Sequence, residues 1–146
     1  MNSDQEDQLH LTIFTNFSLT RAYYHAPHRK DLDGNQVELV PPFNFKAGLN
    51  FQMGKFHFYG QYSITAKQYS DASNAIFTPS AIEGIIPSYQ VADLSTRYSW
   101  KKIEIEAGIN NLLNNYYFTR RATGYPGPGI IPSDGRSFYL TLGVKI

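Results

Sequence analysis

The sequence predicts an all-β fold, an antiparallel up-and-down meander of about six strands. Three observations predict it. Apolar and polar residues alternate with period two along much of the chain, and helical periodicity is scarce. Aromatic residues make up 15% of the 146 residues, with 11 Tyr and 10 Phe, a composition that suits strands. Connections of two lengths, short turns and long loops, also alternate strictly along the chain.

The first strand is expected from about Leu9 to Tyr24. Leu9, Leu11, Ile13, Phe17 and Leu19 fall on one face; His10, Thr12, Asn16, Ser18 and Thr20 fall on the other. The second is expected from about Phe43 to Met53 and the third from Phe56 to Ala66. Between them, Gly54-Lys55 suits a type II′ hairpin turn. That turn sets Met53 opposite Phe56, Phe51 opposite Phe58 and Phe45 opposite Ile64. It also sets the polar Asn50 opposite Tyr59 and Lys46 opposite Ser63. A slip of one residue would mix the faces. The fourth strand is expected from about Tyr89 to Trp100 and the fifth from Ile103 to about Asn110. A turn centred on Lys101-Lys102 sets Tyr98 against Ile105 and Arg97 against Glu106. The sixth is the closing stretch "SFYLTLGVKI", with Phe138, Leu140, Leu142, Val144 and Ile146 on one face and Leu142 expected at mid-depth. The long connections span about Ala26 to Pro42, Lys67 to Ser88 and Asn111 to Gly135.

Short turns at one end and long loops at the other are the pattern of an outer-membrane barrel. The polar faces are rich in Asn, Gln, Ser and Thr and carry paired charges, which suits a wet lumen. Aromatic residues gather toward strand ends, among them Phe43 and Phe45, Tyr98 and Trp100, Tyr116 to Phe118, and Phe138 and Tyr139. Such clusters suit interfacial girdles. The competing reading is a soluble or self-assembling small β-barrel binding module with an apolar interior. Six strands leave two open edges, which lipid does not tolerate, and bacterial membrane barrels begin at about eight strands. The chain is therefore expected to be part of a larger barrel, with Met1 an internal or arbitrary start.

Composition bounds the chemistry. The net charge of +1 gives no reason to expect nucleic acid, and without Cys there is no disulfide framework or thiol nucleophile. The opening "MNSDQEDQ" lacks the apolar segment of a signal peptide. No Ser/His/Asp order, phosphate loop or dinucleotide fingerprint occurs, so no enzyme is expected.

"EAGINNLLNNYYFTRRATGYPGPGIIPSDGRSFYLTLGVKI", from Glu106 to Ile146, strongly resembles the C-terminal end of TonB-dependent outer-membrane receptors. Within these it looks like the ferric-citrate and siderophore branch. "QYSDASNA" and "GIIPSYQVADLSTRYSW" look like the preceding strands. The resemblance implies that residues 1–146 are one partial domain, the C-terminal portion of a transmembrane barrel of about 22 strands. The plug domain of such receptors is absent from this sequence. It also implies a bacterial outer-membrane location and a role in ferric chelate uptake. The implied partners are membrane lipid, the remaining barrel and plug, the TonB complex through that plug, and the barrel-assembly machinery. Phe138, Leu140, Leu142, Val144 and Ile146 would form the barrel-closing and assembly strand, although Ile146 stands where an aromatic is usual.

Ligand contacts are expected from Arg120, Arg121, Tyr117 and Tyr125, because guanidinium groups bind carboxylates of a chelate bidentately. Arg97, Glu106, Asp93 and Glu104 are expected to form a charge network on the lumen face. "HAPHRKDLDGN" holds His25, His28, Asp31 and Asp33, but the final Glu of a calcium loop would fall at Pro42. It reads as a polar loop, and no metal or cofactor is expected.

Overall fold

A computed structural model describes residues 9–124 and 127–145. Six long strands form one antiparallel sheet: β1 (Leu9–Leu19), β2 (Phe43–Met53), β3 (Phe56–Thr65), β6 (Tyr89–Trp100), β7 (Ile103–Asn110) and β10 (Ser137–Val144). Their spatial order, β1-β2-β3-β6-β7-β10, follows the chain, and the sheet is open between β1 and β10. Four short strands lie in the long connections. β4 (Gln68–Tyr69) pairs with β5 (Ile85–Ile86), and β8 (Phe118–Ala122) pairs with β9 (Gly129–Pro132).

The register is the one the turns dictate. Met53 pairs with Phe56, Phe45 with Ile64, Tyr98 with Ile105 and Arg97 with Glu106. Gly54 has φ +55°, as the first central residue of a type II′ turn requires. Cross-strand partners share a face, so the ladders assemble into continuous rows. One apolar row runs Leu9, Met53, Phe56, Tyr98, Ile105 and Leu142; another runs Ile13, Leu49, Gly60, Leu94, Ile109 and Phe138. Leu142 therefore lies near the short-turn end, one row from Trp100, Ile103 and Val144, and not at mid-depth as expected. Leu94 lies at the middle of β6, in a row that reaches Phe138 at the loop end of β10. Tyr139, grouped by sequence with Phe138, points to the polar face and donates to Glu106.

β1 stops at Leu19, five residues before the expected end. Pro41 and Pro42 have no N–H with which to continue the ladder. The pairing frays into single contacts: Thr20 N to the Pro42 carbonyl, Val37 N to the Ala22 carbonyl, and an isolated bridge between Tyr23 and Gln36. The short strands carry too few residues to show a period, which is why alternation does not reveal them.

The sheet has no core of its own. Among the described residues, the one fully buried apolar side chain is Ile86, in the loop region. Leu140 is 76% exposed and Ile13 70%. Among the described residues there is no helix, and the six-stranded sheet stays open rather than closing around its apolar face.

Candidate functional site

The long connections (residues 20–42, 66–88 and 111–136) gather at one end of the sheet and bind one another through side chains. The first meets the second at Asn74, whose amide donates to the Gln36 carbonyl at 2.8 Å and accepts from Gln36 N at 2.7 Å. Asn35 Nδ2 donates to the Ala72 carbonyl, and Leu39 N to the Tyr69 carbonyl. The third meets the second at Arg121. Its Nη1 donates to the Ala81 carbonyl at 2.8 Å and its Nη2 to the Ile85 carbonyl at 2.9 Å, beside buried Ile86. Its guanidinium also covers the Phe118 ring. Gly84 lies under this contact with φ +141°, and a Cβ there would sit 2.9 Å from the Ile76 carbonyl and 3.1 Å from Arg121. Glycine is needed there for both reasons.

The third connection is held at its root by Asn111, which is 3% exposed. Its side chain donates to the Asn115 and Asp134 carbonyls and accepts from Asn115 N; its own N–H donates to Asp93. Its φ of +49° is a conformation that Asn tolerates better than most residues. Asn114, also left-handed at φ +53°, accepts from Arg136 N. The "NNLLNN" run thus folds the start of the loop back against its end. The sequence reading did not assign this role; paired Asn at a strand end was the available signal.

The expected ligand residues divide. Arg121 is committed to loop carbonyls and acts as a bridge between loops. Arg120 is its exposed neighbour. Tyr117 stacks on Tyr89 with ring centroids 4.6 Å apart. Tyr125 lies outside the described residues.

The lumen-side charges divide as well. Arg97 donates to Glu106 Oε2 from Nε at 3.0 Å and from Nη2 at 2.7 Å. It lies 3.6 Å from Glu104, which Lys145 approaches at 3.9 Å. Asp93 is not in this cluster. It accepts from Gln61 Nε2 at 3.0 Å and from Asn111 N at 2.9 Å, toward the loop end of the same face. The pairing of Arg97 with Glu106 places Asp93 two rows away, so the four expected residues form two separate groups.

In the first connection, Asp33 accepts from Ala26 N at 2.8 Å and Asp31 pairs with Arg29 at 2.8 Å. The hydrogen bond from Arg29 holds the Asp31 carboxyl below its ordinary pKa. Tyr24 donates to Glu38 at 2.6 Å, and that carboxylate raises the phenol's pKa. Among the described residues, no three His, Asp or Glu side chains converge as a metal site.

β10 presents Phe138, Leu140, Leu142 and Val144 outward, and its far edge is unpaired among the described residues. Ile146 lies outside the described residues.

A family model described as "TonB dependent receptor-like, beta-barrel" matches residues 4–112. No curated protein matches the chain. Solved structures share its fold. The ferric citrate transporter FecA in the unliganded form is 19% identical over 92% of this chain and 21% of its own, with a TM-score of 0.82. The ferric-catecholate import receptor Fiu from E. coli K12 is 17% identical over 92% and 18%, with a TM-score of 0.73. BauA, the ferric preacinetobactin receptor from Acinetobacter baumannii, is 22% identical over 92% and 19%, with a TM-score of 0.69. The chain thus spans about a fifth of the length of these structures.

Proposed function

The chain belongs to the TonB-dependent receptor-like β-barrel family, and on that premise we propose that it is the C-terminal portion of an outer-membrane receptor for ferric chelates. The observation that carries this reading is a six-stranded sheet with one exposed apolar face, one polar face and, among the described residues, unpaired outer edges. Its dimensions support it. β1 and β2 have 11 residues each. At about 3.4 Å per residue and a tilt of about 45°, they span roughly 26 Å across the membrane. That matches the apolar band of membrane barrels, about 25 Å tall.

In this reading, neighbouring strands of a barrel of about 22 complete the two edges. A plug fills the polar side and links the receptor to the TonB complex. β10, with Ile146, closes the barrel and is read by the assembly machinery. The cargo is a carboxylate-rich ferric chelate of the ferric citrate or siderophore type. Arg120 supplies a guanidinium to it, with Tyr117 and Tyr125 shaping the approach; Arg121 holds the loops that position Arg120. The role is transport, not catalysis.

Binding of radiolabelled ferric citrate to membranes containing the complete receptor tests this reading. Arg120→Ala is expected to weaken binding about tenfold, the loss of one charge-assisted contact. Unchanged affinity removes Arg120 from the site. Binding of a catecholate chelate in preference to ferric citrate would redirect the cargo assignment within the same family.

A further inference from the structure

The charges of the sheet are unevenly distributed between its ends. The loop end mixes both signs. The short-turn end carries Lys55 in the β2–β3 turn and Lys101 and Lys102 in the β6–β7 turn, with no carboxylate in either turn. All three lysines are exposed, and among the described residues none makes an ion pair. The two turns are joined, since Ser99 N donates to the Lys55 carbonyl at 3.0 Å. Among the described residues, Glu104 of the adjoining strand belongs to the polar face and is engaged there by Arg97 and Lys145.

Lys101 lies on the other side. Its Nζ is 5.6 Å from the centroid of the Trp100 ring. Trp100 pairs with Ile103, and Ile103 with Val144, in the last row of the apolar face. A cation is therefore held over an aromatic at the edge where apolar surface ends. Its neighbours Tyr98, Ile103 and Ile105 are exposed below it.

We infer that the β6–β7 turn is a binding site for an anionic phospholipid, resting on the membrane-barrel reading above. Lys101 and Lys102 contact the headgroup phosphate, and the acyl chains lie along Tyr98, Ile103 and Ile105. The ligand is an amphiphile with negative charge at one end, because Lys101 sets an ammonium group beside apolar surface and Lys102 follows it in the same turn. Ammonium groups near a membrane surface attract anionic lipid by about a fivefold factor each. A tryptophan at the same level supplies the amphipathic ring that interfaces favour.

The test is photo-crosslinking of the complete receptor in bilayers of phosphatidylethanolamine with phosphatidylglycerol, using Ile103→p-benzoylphenylalanine. The captured lipid is identified by mass. The expected result is enrichment of phosphatidylglycerol adducts over bulk composition, by about fivefold or more. This enrichment should fall to the bulk ratio in the K101Q/K102Q variant and at high salt. Bulk composition in the unaltered receptor overturns the inference, as does undiminished enrichment in the variant. Capture of a protein instead of lipid overturns it in favour of a protein partner. A control crosslinker at Leu140 separates this inference from its premise. Lipid adducts at 140 with bulk composition at 103 refute only the headgroup site; no lipid adducts at either position refute the membrane reading as well.

Discussion

The two ends of the molecule are stabilised differently. The six-stranded sheet is regular, with nearly every backbone group of its inner strands in a ladder, yet it encloses no core. Its apolar side chains are exposed, so its stability depends on what surrounds it. The loop end is irregular but internally held. Asn74 ties the first connection to the second and Arg121 ties the third to the second beside Ile86, while Asn111 folds the third back on itself. The sheet thus takes its energetics from its environment, and the loops carry theirs within the chain.

Charge placed on the apolar face should break the sheet most strongly. Leu94→Arg, at the middle of β6, is expected to destabilise the assembled barrel by about 2–4 kcal/mol, read by equilibrium unfolding in lipid vesicles. Leu142→Arg, one row from the turns, should cost about 0–1 kcal/mol. Equal costs would contradict the depth assigned by the ladders.

At the loop end, Asn111→Ala removes three side-chain hydrogen bonds and places Ala at φ +49°. A local loss of about 2–3 kcal/mol is expected. It should appear as faster amide exchange across 111–136, with the strands of the sheet unchanged. Loss of protection in β7 and β10 as well would mean that the two ends are not independent.

Arg121→Ala should release the second connection from the third, at about 1–3 kcal/mol. Faster proteolysis within 66–88 is the readout. Arg121→Lys should rescue little, because one ammonium does not reproduce the fork that spans the Ala81 and Ile85 carbonyls.

The smallest effect concerns pH. The Asp31 carboxyl is depressed by Arg29, so its contribution is present above the ordinary carboxylate pKa of about 3.9. It is lost as pH falls through the depressed value. Nuclear magnetic resonance titration should show the Asp31 midpoint rise toward the ordinary range in Arg29→Gln. An unchanged midpoint would remove the pair from the loop's electrostatics.

Sequence legibility follows the same division. Period-two alternation and two turn dipeptides are local, so the six strands, their order and their register could be read. The depth of Leu142 could not, because it depends on how far β10 runs beside β7. β4, β5, β8 and β9 have from two to five residues, too short for a period. Arg121 reaches carbonyls 36 and 40 residues away, and no local pattern encodes that. Asp93 and Arg97 are both polar-face residues of β6, but four residues along a strand separate them by about 13 Å. Sharing a face did not make them one site.

Under the barrel reading, the apolar face meets lipid and the polar face meets water. Because the chain has no Cys, spin labels at Leu140→Cys and Thr141→Cys test it within one strand of the complete receptor. Collision rates with oxygen, which partitions into lipid, and with a water-soluble nickel chelate are measured at each position. The expected result is high oxygen and low nickel accessibility at 140, with the reverse at 141. Nickel access at 140 together with oxygen access at 141 would place the apolar face on the inside and contradict the account.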